Sequence, residues 1–184
     1  MADMEISRRA LGAGAVGVAV LASMQQAVAQ TAAAGGTWMD MIKAHHAQIA
    51  ETFDKLLAAR GPAAEMPLLK RLGYQITAYA VGEEKSIYPA LAMHGIQAGS
   101  DKLYIDQAHA KVGNAELDMM AKMSKANDPA FKKKVRALQA AVLQHAKVDE
   151  EADLYPKLMK AAGPEGNRMI TMMYKQQFDS VRPV

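Results

Sequence analysis

The sequence contains no cysteine. Disulfides and thiolate metal sites are therefore excluded, and stability has to come from a packed core. Aromatic residues are scarce, at 5%, and the net charge is only +3. A nucleic-acid footprint needs clustered basic residues with aromatics between them, and none is present, so no nucleic-acid partner is expected. The densest basic run, FKKKV at 131–135, reads as a solvated helix face. Long apolar runs are lacking as well. The mildly apolar stretch from Ala10 to Ala22 is well short of the ~20 residues a membrane span needs, so no stable membrane anchor is expected.

That short run fits another purpose. It follows Arg8-Arg9 and leads to Ala27-Val28-Ala29, a small-x-small cleavage site. It is also rich in Gly and Ala, as twin-arginine export signals tend to be. Residues 1–29 are expected to be a cleaved signal handled by the twin-arginine export machinery, with the mature protein periplasmic or secreted. Residues 30–36 are expected to form a linker. The ~150 residues that remain suffice for one domain with an adequate core.

What is present in that domain is helical periodicity. Apolar residues recur at three and four, and no stretch alternates as a strand does. A first helix is expected from about Thr37 to Ala59, ending before Gly61-Pro62. A second runs from near Ala64, with Pro67 in its first turn, past Tyr88. A third starts at Ser100, a good N-cap, and continues to about Lys125. A fourth opens at Asn127-Asp128-Pro129 and reaches Tyr155, and Gly163-Pro164-Glu165 starts a shorter one toward Phe178. The expected fold is all-α: an antiparallel up-down four-helix bundle over 37–160, with an additional C-terminal helix over 161–184 packed on it.

Repetition is the next feature. EEKSIYPAL begins at Glu83 and EEADLYPKL at Glu150, and HAQIAETFDKL begins at His46 and HAKVGNAELDM at His109. The order His, acidic Tyr-Pro element, His, acidic Tyr-Pro element is the mark of a duplicated helix pair.

Ionisable residues sit on the apolar stripes of these helices. His46 has Ile42, Ile49, Ala50 and Phe53 around it, and His109 has Ile105, Val112 and Leu117. His145 follows Leu138 and Val142 and precedes Val148, and Glu83 lies among Ile76, Tyr79, Ala80 and Ile87. Singly, each reads as a hydrogen-bonded core residue or one turned to solvent. As a set they differ, because buried ions without partners cost several kcal/mol each, so they must pair or hold a metal. Imidazoles and carboxylates meeting inside a four-helix bundle are the ligand set of non-haem iron and related metals.

From about Trp38 to Leu158 this order of residues resembles the hemerythrin-like, or HHE cation-binding, domains. The resemblance implies two non-haem irons bridged by carboxylates and an oxo or hydroxo group, with a small diatomic or peroxide ligand. Carried over, it makes His46, Glu83, His109, His145 and Glu150 the metal ligands. His45 precedes the family spacing and is expected near the site or exposed. Two positions depart from the pattern. Tyr79 stands where relatives place a histidine four residues before Glu83, and Gly113 stands where many carry a second ligand four after His109. Tyr79 either ligates through its phenolate or fills the space, and one metal or two remain open.

The acid on the fourth helix is open at the level of geometry. Asp149 lies about 40° from His145 round an ideal helix and Glu150 about 140°. The repeat and the family spacing favour Glu150, and a π-bulge reconciles the two. Each nonapeptide then supplies one bridging carboxylate, and its Tyr-Pro bends or ends the helix. Fourteen methionines, Met169, Met172 and Met173 among them, suggest copper, but helical spacing favours core packing. Tyr88 and Tyr155 are expected to plug the core. The functions implied are oxygen binding or, alternatively, peroxide or nitric oxide consumption by a di-iron enzyme, or a mononuclear or metal-free structural bundle.

Overall fold

A computed structural model describes residues 36–123 and 128–181. The expected export signal and cleavage site, and residues 30–35 of the expected linker, lie outside the described residues. Helix α1 spans Trp38–Ala58. Its start is fixed by a reciprocal cap: Thr37 Oγ1 accepts from Asp40 N, and Asp40 Oδ2 accepts from Thr37 N at 2.8 Å. Gly61, at φ 82, turns the chain into α2, Pro62–Gly82. A π segment, Glu83–Ile87, follows without a break and passes into α3, Tyr88–Met93. After a turn at Gly95 come α4, Gln97–Met123, and α5, Pro129–Gln144. A second π segment, His145–Leu154, leads into α6, Tyr155–Ser180, which kinks at Gly163 (φ 63).

No strand occurs among the described residues, and the fold is the all-α bundle expected. Trp38, Phe53, Leu72, Tyr88, Leu117, Phe131 and Tyr155 fill its interior. Beyond Gly163 the chain returns as the additional helix, burying Ile170, Tyr174 and Phe178. Tyr174 lies so close to Gly82 that a Cβ there would sit 2.7 Å from its ring. Trp38 Nε1 donates to Asn167 at 2.8 Å, tying α1 to the same segment.

Several local expectations are corrected. The Tyr-Pro pairs do not end their helices. Each instead marks where a π segment closes: Tyr88 N donates to Glu83 O, and Tyr155 N to Glu150 O. Pro89 has no N–H for the Glu84 carbonyl five residues back, and Tyr104 Oη donates to that carbonyl at 2.8 Å. Ser100 lies inside α4, where its hydroxyl donates to Tyr88 O at 3.0 Å. Met169, Met172 and Met173 are exposed, because the buried stripe of their helix is Ile170, Tyr174 and Phe178. Lys132, within the basic run, is buried and donates to the carbonyls of Leu56 and Ala59 at 2.7 and 2.6 Å. It caps the negative end of α1.

Candidate metal centre

The two π segments carry the centre. In an α-helix, residues five apart point to different faces. The i→i+5 bonding of a π turn brings them into line, so His145 and Glu150 both face the interior. His145 Nε2 lies 3.0 Å from Glu150 Oε1. Asp149 is turned outward, where it holds Lys102 at 2.7 Å.

Glu83 and Glu150 are both fully buried, and His46 joins them from α1. One ligand atom from each of the three lies within 4.8 Å of the others. Tyr79 Oη is hydrogen-bonded to both His46 Nε2 and Glu150 Oε2. Tyr155 Oη donates to Glu83 Oε1 and, at 2.7 Å, to Glu150 Oε1. Tyr88 Oη donates to Glu150 Oε1 at 2.9 Å and to Glu83 Oε2 at 3.2 Å. The tyrosines expected only to plug the core therefore hold both carboxylates. Their place five residues after each glutamate was the available signal.

His109 is not brought to this cluster, and the inward placement expected of it is corrected. It lies on the exposed face of α4 with Ile105 and Val112. The residue that α4 sends inward is Gln107, about 200° away round the helix. Gln107 Nε2 donates to Glu83 Oε2 at 2.7 Å and to Tyr88 Oη at 3.1 Å. The misreading has a cause in the sequence: α4 carries two apolar stripes, and Leu103, Gln107, Leu117 and Ala121 form the buried one.

Both histidines are oriented from behind. His46 Nδ1 meets Glu151 Oε1 at 2.5 Å, and His145 Nδ1 meets Asp106 Oδ2 at 3.3 Å. Metal-ligating histidines are held in this way, with a carboxylate on one ring nitrogen and the other facing the ion. Sequence reasoning missed Glu151 and Asp106, since neither lies on an apolar stripe. His45, beside His46, is buried rather than exposed. It stacks on Phe178 at 4.1 Å, and its Nδ1 meets Tyr174 Oη at 2.6 Å. Burial, and then the neighbouring His46, push its pKa down to about 3, so it is a neutral packing residue.

A family model, the hemerythrin HHE cation-binding domain, matches residues 38–158. The chain belongs to this family. No curated protein and no solved structure gives a significant match.

The electrostatics of this HHE domain fit a cation. Burial pushes the Glu83 carboxyl well up, the adjacent Glu150 adds to this, and hydrogen bonds from Tyr155, Tyr79 and Tyr88 offset only part. Burial alone would raise Glu150 as well, but His145 and His46 outweigh it and hold that carboxyl below its usual range. Two carboxylates this close cannot both ionise without a counter-charge, so the metal-free pair retains a proton. A cation held between them would supply that counter-charge and favour ionisation of both glutamates. The Tyr79 phenol is pushed well above 10 by burial and then by Glu150 and Glu83. A metal inverts that influence as well.

A cleft of about 500 Å³ between α4 and α5 reaches this layer. Tyr79, Gln107 and His145 line its wall with Ile49, Ile76 and Leu138, and Lys102, Asp106, His109 and Glu116 also border it.

Proposed function

We propose that this protein is a non-haem di-iron protein that binds oxygen or a related small oxidant. The observation that carries this reading is the pair of fully buried carboxylates, Glu83 and Glu150, clustered with His46. Non-haem iron takes imidazole and carboxylate donors, and the family is one of cation-binding domains. Glu83, Glu150, His46, His145 and Tyr79 would be the residues that hold the iron. Iron held by them would supply a redox-active Lewis acid to an oxidant arriving through the cleft.

The other residues keep this donor set in order. Gln107, Tyr88 and Tyr155 hydrogen-bond the carboxylates and limit their rotation. Glu151 and Asp106 take the Nδ1 side of each imidazole, leaving Nε2 directed inward. Ile49, Ile76 and Leu138 give the cleft an apolar stretch beside Tyr79, open to a small neutral oxidant. Arg8-Arg9 and Ala27-Val28-Ala29, read as an export signal, favour a site of action outside the cytoplasm.

The test is metal analysis with visible spectroscopy on protein produced with iron. Two irons per chain and a spectrum that changes reversibly on cycling oxygen are expected. One iron or none would sink the di-iron reading. Sustained consumption of added peroxide would favour the enzymatic alternative instead.

A further inference from the structure

The outer face of α4 carries a second apolar stripe that the bundle does not use. Ile105, Val112, Met119 and Met123 are 57, 58, 67 and 86% exposed. With His109 and Glu116 they recur at alternating intervals of four and three residues, the spacing of a helix-pair seam. The stripe runs about 27 Å along the helix at 1.5 Å per residue. The outer face of α1, by contrast, presents Asp40, Lys43, Glu51, Asp54 and Lys55.

We propose that this stripe pairs with the same stripe of a second copy of the chain, antiparallel, about a two-fold axis passing near Val112. The stripe is self-complementary in that register. Ile105 falls opposite the second copy's Met119, and Val112 opposite its own equivalent. His109 falls beside the second copy's Glu116, and Asp101 beside its Lys122. Symmetry makes each unequal pair occur twice. The residues flanking one side of the seam, Ala108 and Ala115, are small and exposed, so two helices can approach closely there. Parallel pairing would set Glu116 against Glu116, which is repulsive. Glu116 Oε2 already holds Lys134 of its own chain at 2.5 Å, and a carboxylate has a second oxygen for a second cation.

The pairing bears on access to the interior. His109, Val112 and Glu116 also line the cleft that reaches Tyr79, so the second copy lies beside its mouth. An interface one helix wide is small, and the association is correspondingly weak and concentration-dependent.

Analytical ultracentrifugation of the protein tests this, at loading concentrations from about 5 to about 500 μM, the range in which small interfaces associate. Wild type should pass from monomer to dimer. Val112→Lys sets two ammonium groups together at the axis and should weaken association at least tenfold. His109→Glu should weaken it too, by setting two carboxylates side by side, and adding Glu116→Lys to that variant should restore it by placing an ammonium beside the new carboxylate. Met169→Lys, on an exposed face of the C-terminal helix, should leave it unchanged. All four substitutions are at exposed positions, and circular dichroism checks that each variant is folded. A monomer throughout the range overturns the proposal. So does a dimer that survives Val112→Lys, or one lost in Met169→Lys.

Discussion

His145 Nε2 lies 3.0 Å from the carboxylate of Glu150, five residues further along the same helical rod. An α-helix cannot make that contact, because residues five apart diverge by about 140°. The π segment over His145–Leu154 makes it. The neighbouring acid, which an ideal helix would have chosen, ends up on Lys102 at the cleft rim.

The carboxylate choice on this rod is directly testable. Glu150→Ala should lose at least half of the bound iron. Asp149→Ala should retain nearly all of it, since Asp149 lies outside the Glu83–Glu150 cluster and its ion pair with Lys102 is partly exposed, worth about 0–1 kcal/mol. Iron-to-protein ratios measured after desalting decide between them. The reverse ranking would show that the π register does not persist in the loaded protein.

Tyr79 is hydrogen-bonded to His46 and Glu150 alike, which places its oxygen among the proposed donors. If that phenol ligates, the ferric protein should show a broad visible charge-transfer band that Tyr79→Phe abolishes while iron is retained. An unchanged ferric spectrum in Tyr79→Phe would reduce the tyrosine to packing. Tyr79→His should then restore the usual ligand of the family and increase oxygen binding.

Two residues of α4 should respond in opposite ways. His109→Ala touches nothing in the centre and should leave the iron content unchanged. Gln107→Leu leaves Glu83 without its 2.7 Å donor. It should lower stability by about 0.5–1.5 kcal/mol, as expected for one hydrogen bond lost while Tyr88 and Tyr155 still reach the carboxylate. Thermal melts and metal analysis of the pair provide the comparison. Iron loss in His109→Ala alone would return that histidine to the ligand set.

Export is tested through Arg8 and Arg9. If residues 1–29 direct twin-arginine export, replacing both by lysine should retain the protein in the cytoplasm, because that route depends on the arginine pair. Mature protein appearing outside at wild-type levels would refute that route.

The sequence by itself determined the helical class, the near boundaries of the helices, and the duplicated nonapeptide that supplies Glu83 and Glu150. These are local properties: the apolar period, the capping residues and the repeat are written in adjacent positions. It did not determine which of two stripes on α4 faces inward. Ile105, Val112 and Met119 offer a periodicity as regular as that of Leu103, Gln107 and Leu117, and only packing against the other helices selects between them. The same holds for Tyr88, Tyr155, Glu151 and Asp106. Each gains its role by meeting a side chain from another helix, or another turn of a π segment, and that meeting depends on how whole helices rotate about their axes. Helix rotation is set by the summed burial of all faces at once, so tertiary structure alone decided that Gln107, and not His109, completes the layer around the two glutamates.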